Sequence, residues 1–340
     1  MRKRHLLSRA RLLWALRSFF HREGFIELEP PCLVISPGLE PQLDAMQVNA
    51  PWAHQASDEA YARRWLHTSP EYAIKRYLGS EGVGVSRVYA LSSCFRDELP
   101  STTHSPEFTM LEWYARDLDL DGLMSQCEAL VGELVTAYDE LAQDDPQLSR
   151  AHLSSFKSPF ERLSVRDAFT RYAGIDLEQC LTVSRLRSAA ARAGVRSSAL
   201  EGTWDELYFQ VFMDLIEPHL GRERPTLLYE FPASQAALAR LYPDDPRWAK
   251  RFELFIGGVE LANAFDELSD PVEQRARFED DLIVREARGA QRPPIDEALL
   301  EALPQLGHCV GIALGFDRLV MLLCGATSID EVRLQSWSAL

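Results

Sequence analysis

Arg87-Val88-Tyr89-Ala90-Leu91 leads to Cys94-Phe95-Arg96-Asp97-Glu98, and the loop Leu99-Pro100-Ser101-Thr102-Thr103-His104-Ser105-Pro106 follows. The chain returns as Glu107-Phe108-Thr109-Met110-Leu111-Glu112-Trp113-Tyr114. Two β-prone runs around a polar, proline-bearing loop predict a hairpin over 86–117. Side chains alternate along a strand, so Phe108, Met110, Glu112 and Tyr114 share a face. Phe108 and Tyr114 then stand roughly 20 Å apart, room for an aromatic platform at one end and polar groups for a second ligand at the other. A sheet face with half-buried aromatics has the same composition, so this stretch alone leaves both readings open.

Working outward, the next informative run is Arg251-Phe252-Glu253-Leu254-Phe255-Ile256-Gly257-Gly258-Val259-Glu260-Leu261-Ala262-Asn263-Ala264-Phe265-Asp266-Glu267. Gly257-Gly258 between β-prone segments predicts a two-residue turn. Ile256 then faces Val259, and Glu253 lies diagonal to Glu260, roughly 7–8 Å away. Two carboxylates so placed on a buried face repel unless a cation lies between them, and oxygen ligands left partly open suit Mg²⁺ bridging to phosphates. Two solvated surface acids are the alternative. A uniform strand turns Asn263, Phe265 and Glu267 away from Glu260, so a shared site requires a bulge or break near 261–264.

A third run, Cys309-Val310-Gly311-Ile312-Ala313-Leu314-Gly315-Phe316-Asp317-Arg318-Leu319, reads as an apolar strand entering a helix near Asp317. Its glycines allow close approach of a ligand to the backbone. Asp317 reads as an N-cap. Arg318 at a helix N-terminus, where the dipole disfavours a cation, points to an anionic partner, with a solvated arginine as the alternative.

Around these runs, residues 1–50 read as helix, strand and loop, and 61–140 as helix, strand pair and a helix over roughly 120–141. Residues 142–160 read as a linker and 161–220 as mostly helical, so 142–220 is expected to be a linker and helical insertion within a single catalytic domain spanning 1–340. Hairpins flanked by helices make the expected fold class α+β, with an antiparallel sheet core.

The 340 residues carry 36 Lys and Arg against 51 Asp and Glu, a net charge of −15. Broad nucleic-acid binding through clustered positive charge is therefore not expected. The hydrophobic share of 46% excludes disorder as the dominant state, and no run is long enough to cross a membrane. Six cysteines without a CxxC spacing fit reduced thiols in a cytoplasmic protein. Seven Lys and Arg with no acid fall in 2–22. That run reads as an amphipathic helix, with Leu6, Leu13, Leu16 and Phe20 near one face, in preference to a presequence.

Taken together, the three runs resemble the class II aminoacyl-tRNA synthetases. Phe95-Arg96-Asp97-Glu98 with His104-Ser105-Pro106-Glu107-Phe108 resembles the class's second motif, Gly311…Gly315-Phe316-Asp317-Arg318 the third, and the helix and strand ending in Pro30-Pro31 the first, which forms the dimer interface. Ser69-Pro70-Glu71-Tyr72, Lys75-Arg76 and Glu260-Leu261-Ala262-Asn263 resemble the lysyl branch. Tyr229-Glu230-Phe231-Pro232-Ala233-Ser234-Gln235-Ala236 resembles its paralogues that modify elongation factor P, which lack the N-terminal anticodon-binding barrel. The chain enters the first motif's helix within its first dozen residues, so no such barrel is expected.

The resemblance implies an ATP-dependent ligase that forms an adenylate of (R)-β-lysine or lysine and passes it to elongation factor P, acting as a homodimer with Mg²⁺. It makes Arg96 and Arg318 the catalytic residues. ATP would be met by Arg96, Asp97, Glu98, His104, Ser105, Phe108, Glu260, Leu261, Gly315 and Arg318, with Glu253 and Glu260 on the metal. The amino acid would be met by Ser69, Pro70, Glu71, Glu112, Tyr114, Asn263, Phe265, Glu267 and Ala313. Within these roles Arg96 takes the α-phosphate, Phe108 stacks on adenine, Arg318 covers its other face, Glu71 meets the amine near the reacting carboxylate, and Tyr114 and Glu267 receive the far ammonium. Ser105 stands where the family usually has Asn, Thr102 and Thr103 replace larger residues, and Ala264 replaces a Gly. Ala313, where true lysyl-tRNA synthetases have Gly, matches the elongation-factor-modifying paralogues. A shortened lysyl-tRNA synthetase and a catalytically silent paralogue are the alternatives. The missing barrel and the negative charge weigh against the first, and the intact Arg96, Glu253, Glu260, Glu267 and Arg318 against the second.

Overall fold

The computed structural model describes residues 2–49, 63–196 and 201–337. In chain order its main elements are α1 (Arg2–Arg22), β1 (Ile26–Leu28), β2 (Leu33–Val34), β3 (Gln47–Val48), β4 (Arg64–Leu66), α2 (Glu71–Leu78), β5 (Arg87–Phe95), β6 (Glu107–Ala115), α3 (Leu120–Asp144), β7 (Glu161–Ser164), α4 (Val165–Ala168), α5 (Val183–Arg192), α6 (Trp204–Val211), β8 (Thr226–Pro232), β9 (Trp248–Ile256), β10 (Val259–Asp266), α7 (Pro271–Ala287), α8 (Glu297–Leu306), β11 (Val310–Gly315) and α9 (Phe316–Leu323). They divide between two compact units, Met1–His152 with Asp266–Leu340, and Leu153–Phe265.

In the first unit β5 and β6 form the expected hairpin, pairing Cys94 with Phe108, Ala90 with Glu112 and Val88 with Tyr114. β11 runs antiparallel beside β6 and sets Gly311 against Tyr114 and Ala313 against Glu112. β1 joins the other edge in parallel, so the sheet is antiparallel except at this strand. A small sheet of β2, β4 and β3 precedes α2. Phe20 of α1 stacks on Tyr89 at 4.5 Å between ring centroids and meets Trp113 edge-on at 5.5 Å, which seats the helix on the sheet. The buried stripe of α1 is Ser8, Leu12, Ala15, Leu16, Phe19 and Phe20; Leu6 and Leu13, expected on that face, are only half-buried. Asp119 caps α3 by accepting from Gly122 N, and the helix runs three residues past its expected end, to Asp144. Its buried stripe explains the extension, because Leu130, Leu134, Tyr138 and Ala142 keep the helical period into the supposed linker.

In the second unit the strand order is β10, β9, β8, β7, antiparallel apart from the parallel β7–β8 pair. Strand β7 at Glu161–Ser164 falls in a stretch expected to be mostly helical. Four residues are too few for periodicity to separate from the helix that follows. Within 161–220, α5 and α6 bury Leu186, Ala190, Leu207 and Val211 against Phe169, Phe231 and Trp248. Residues 197–200 of the expected insertion lie outside the described residues. Gly257 and Gly258 take φ of 63° and 79°, the left-handed pair a two-residue hairpin turn demands. Ile256 pairs with Val259 and Phe255 with Glu260, as expected. The register then slips between Glu260 and Ala262, so that Glu253 pairs with Asn263 and Arg251 with Phe265. Leu261 is the extra residue. The bulge returns Asn263 and Phe265 to the face that carries Glu253 and Glu260.

Candidate active site

The first unit holds a buried cluster of acids around one lysine. The Ser69 hydroxyl accepts from Glu71 N at 3.0 Å and anchors the start of α2. One turn on, at the i+4 spacing that brings side chains together, Lys75 Nζ donates to Glu71 Oε1 at 2.5 Å. The same ammonium pairs with Glu267 Oε2. Lys75 is 2% exposed and Glu267 0%. Glu267 follows β10 directly, and its backbone N–H donates to Cys309 O at 2.9 Å, which ties it to the start of β11. A side-chain carbon on Gly311 would collide with Glu267 Oε1 and with the Tyr114 ring, so only glycine lets these two groups meet there.

Glu112 completes the cluster. Its Oε1 accepts from Ser69 Oγ at 2.5 Å and its Oε2 from the Tyr114 hydroxyl at 3.0 Å. Burial, then the nearby charge of Glu71, pushes the Glu112 carboxyl up to about 8. Glu71 and Glu267 hold Lys75 well above its usual value despite its burial. Of the expected amino-acid contacts, Ser69, Glu71, Glu112, Tyr114 and Glu267 are thus brought together, with Pro70 buried at the start of α2 and Ala313 beside Glu112 in the sheet. Sequence reasoning gave Lys75 no role of its own, because nothing local marks an i+4 Glu–Lys pair as reaching a second acid far along the chain; Gly311 stood out only as a glycine that lets a ligand approach the backbone.

Elsewhere in the first unit, Arg318 donates from Nε to Thr103 O at 3.0 Å, and its Nη2 lies 2.8 Å from His104 Nε2. A guanidinium only donates, so that imidazole nitrogen accepts and the proton sits on Nδ1, facing the Ser101 and Thr103 hydroxyls. The Arg96 guanidinium lies 4.9 Å from the centre of the Phe108 ring. Among the described residues nothing accepts from its buried Nε, a donor placed to meet an anion. Ser105 is buried and accepts from Arg333. Asp97 N donates to Asp44 O at 2.7 Å, and Glu98 is half-buried in the loop. Asp317 is not the N-cap; Gly315 is. The Asp317 carboxylate accepts from Thr109 N at 2.9 Å and pairs with Arg9 at 2.5 Å, bracing the start of α9 on β6 and α1.

In the second unit Arg251 organises the carboxylate face. It donates to Glu253 Oε1 at 2.5 Å, to Asn263 Oδ1 at 3.0 Å and to Gln235 O at 2.6 Å, and its guanidinium covers Phe231. Burial pushes the Glu253 carboxyl up to about 8, Arg251 opposes the rise, and the charges of Glu260 and Glu217 add to it. Among the described residues no group of three or more His, Cys, Asp or Glu is arranged as a metal cage. Two carboxylates that feel each other's charge fit a Mg²⁺ that keeps waters and takes phosphate oxygens, since this ion seldom uses an all-protein cage.

A family model described as tRNA synthetases class II (D, K and N) matches residues 1–336. Curated relatives include the elongation factor P--(R)-beta-lysine ligases of Salmonella paratyphi A (strain ATCC 9150 / SARB42) and Salmonella dublin. They are 38% and 39% identical over 332 residues, 96% of this chain and 93% of each relative. The α+β architecture, the hairpins and the family match agree, and the chain belongs to the class II tRNA synthetases.

Proposed function

We propose that this chain is an ATP-dependent ligase that activates (R)-β-lysine, or lysine less well, and transfers it to a lysine ε-amino group of elongation factor P. The observation that carries the reading is the buried Glu71–Lys75–Glu267 cluster beside Tyr114 and Glu112. Carboxylates buried at that density suit a substrate with two ammonium groups, and a neutral analogue would leave one unpaired. The substrate carboxylate would attack the α-phosphorus of ATP and expel pyrophosphate. The acceptor amine, once deprotonated, would attack the resulting acyl-adenylate carbonyl, form an amide and release AMP. Arg96 would neutralise charge on the α-phosphate and Arg318, steadied by His104, would bind the nucleotide phosphates. Phe108 would carry the adenine. Glu253 and Glu260 would hold Mg²⁺, which supplies charge neutralisation at the phosphates.

The basic run of α1 weighs against a tRNA acceptor. Five of its seven cations are taken up within the first unit: Arg4 by Asp145, Arg9 by Asp317, Arg11 by Glu140, Arg17 by Glu27 and Arg22 by Glu133. Tight tRNA binding needs many phosphate contacts, and cations already paired are poor donors of them. Among the described residues no helix is long and apolar enough to cross a membrane. We place the enzyme in the cytoplasm, as a homodimer through α1. The test is ATP–pyrophosphate exchange with β-lysine, lysine and no amino acid. Exchange that requires either isomer is expected; exchange indifferent to both would contradict the reading.

A further inference from the structure

Lys75 is buried deep in the amino-acid pocket, and none of the roles above uses it. It sits on the second turn of α2 and touches both acids that the proposed substrate needs: Glu71 at 2.5 Å and Glu267. These acids come from distant parts of the chain, one opening α2 and one just past the end of β10. Glu267 Oε2 faces Lys75, while Oε1 lies against Gly311 and Tyr114. The two oxygens of this carboxylate therefore look in different directions, one toward an internal cation and the other toward the sheet face that carries Tyr114 and Glu112.

The charge balance gives this placement a consequence. Glu71 and Glu267 are two buried acids closed on one internal ammonium, and the Glu112 carboxyl beside them is pushed up to about 8 by burial. Without that ammonium, two carboxylates this close and this dry would repel, and one would take a proton or swing away. With it, both are pinned: burial pushes the Glu267 carboxyl up to about 8, Lys75 opposes that rise, and the ammonium holds the two acids in place for further cations.

We infer that Lys75 is the positioning residue of the amino-acid pocket: clamped between Glu71 and Glu267, it fixes both carboxylates in place, so that they meet the ammonium groups of a substrate at set positions. Lys75 acts through the two acids and not on the reacting atoms. The inference rests on the proposed function, because it takes a lysine-like substrate as the occupant.

The experiment is ATP–pyrophosphate exchange by wild type, Lys75→Met and Lys75→Arg, with lysine, β-lysine and norleucine, the last lacking the far ammonium. Methionine keeps the length and removes the charge. Lys75→Met should raise the KM for lysine and β-lysine by roughly 30-fold or more while kcat and the KM for ATP stay within about threefold. Its preference for lysine over norleucine should fall by at least about tenfold, because a carboxylate that has taken a proton no longer penalises a missing ammonium. Lys75→Arg keeps the charge and should recover the preference to within about tenfold of wild type. If Lys75→Met does not fold, Lys75→Arg decides alone: a folded, ATP-binding Arg variant that has lost the preference overturns the inference. So does a Met variant with wild-type KM and preference, or one whose loss falls equally on ATP and amino acid, as a merely structural residue would give. A wild type inert to both isomers fails the proposed function instead, and is recognised before any variant is made.

Discussion

Two acidic regions of this chain handle buried charge in opposite ways. In the first unit Glu71 and Glu267 close on Lys75, an ammonium with strong directional hydrogen bonds and 2% exposure. In the second unit Glu253 meets the planar fork of Arg251, shared with Asn263, and Glu260 on the same face is half-buried. An ammonium held between buried carboxylates fixes a dry cluster of set geometry, which suits further amines at set positions. A half-open face leaves room for a hydrated ion that completes its shell with substrate oxygens. On the proposed reading, the same residue type, glutamate, serves organic cations in one unit and a metal ion in the other, according to the cation beside it and its access to water.

The largest effect should come from the dry region. Glu267→Gln leaves Lys75 and the substrate's far ammonium with a neutral partner, and lysine-dependent exchange should fall by about 10³-fold while ATP affinity survives. Equal loss of ATP affinity would place Glu267 elsewhere in the mechanism. Next comes the metal face: Glu253→Gln or Glu260→Gln should reduce exchange by roughly 10²-fold, with the Mg²⁺ concentration for half-maximal rate raised. Near-normal exchange and an unchanged Mg²⁺ requirement in both variants would break the contrast between the regions.

A smaller effect is expected at Gly311. Gly311→Ala would push against Glu267 and Tyr114, and the KM for lysine should rise by about tenfold with little change for ATP. The smallest concerns Glu112, whose folded value near 8 lies above the roughly 4.3 of an unfolded chain. Between those values the unfolded state gives up a proton that the folded state keeps, so wild-type stability falls as pH rises from about 5 to 8. Glu112→Gln cannot ionise. Its Tm relative to wild type should therefore improve by a few °C between pH 5 and pH 8. Parallel pH curves would show that Glu112 is not held protonated.

Much of the sheet was legible because its signals are local. Alternation marks the hairpin face of Phe108, Glu112 and Tyr114, and two glycines in a row mark the turn at 257–258. The bulge at Leu261 could be demanded in advance, since without it Asn263 and Phe265 would turn away from Glu260. What stayed hidden depends on partners far apart in the chain. Lys75 reads as an ordinary helix-end cation until Glu267 is folded onto it. Asp317 reads as a cap until Arg9 and the Thr109 N–H claim its oxygens. The cations of α1 read as a basic patch until their acids on α3, β1 and elsewhere neutralise them. Arg251, inside β9, carries no local mark of the four groups it gathers.

The central claim is a lysine-like substrate passed to a protein amine, and one measurement meets it directly. Wild-type protein is incubated with ATP, Mg²⁺ and β-lysine together with purified elongation factor P, and separately with total tRNA. Intact mass and acid-stable charging are then read side by side. The account predicts a gain of one β-lysyl group on elongation factor P and essentially no charging of tRNA. Efficient charging of tRNA with no gain in mass on elongation factor P would contradict it.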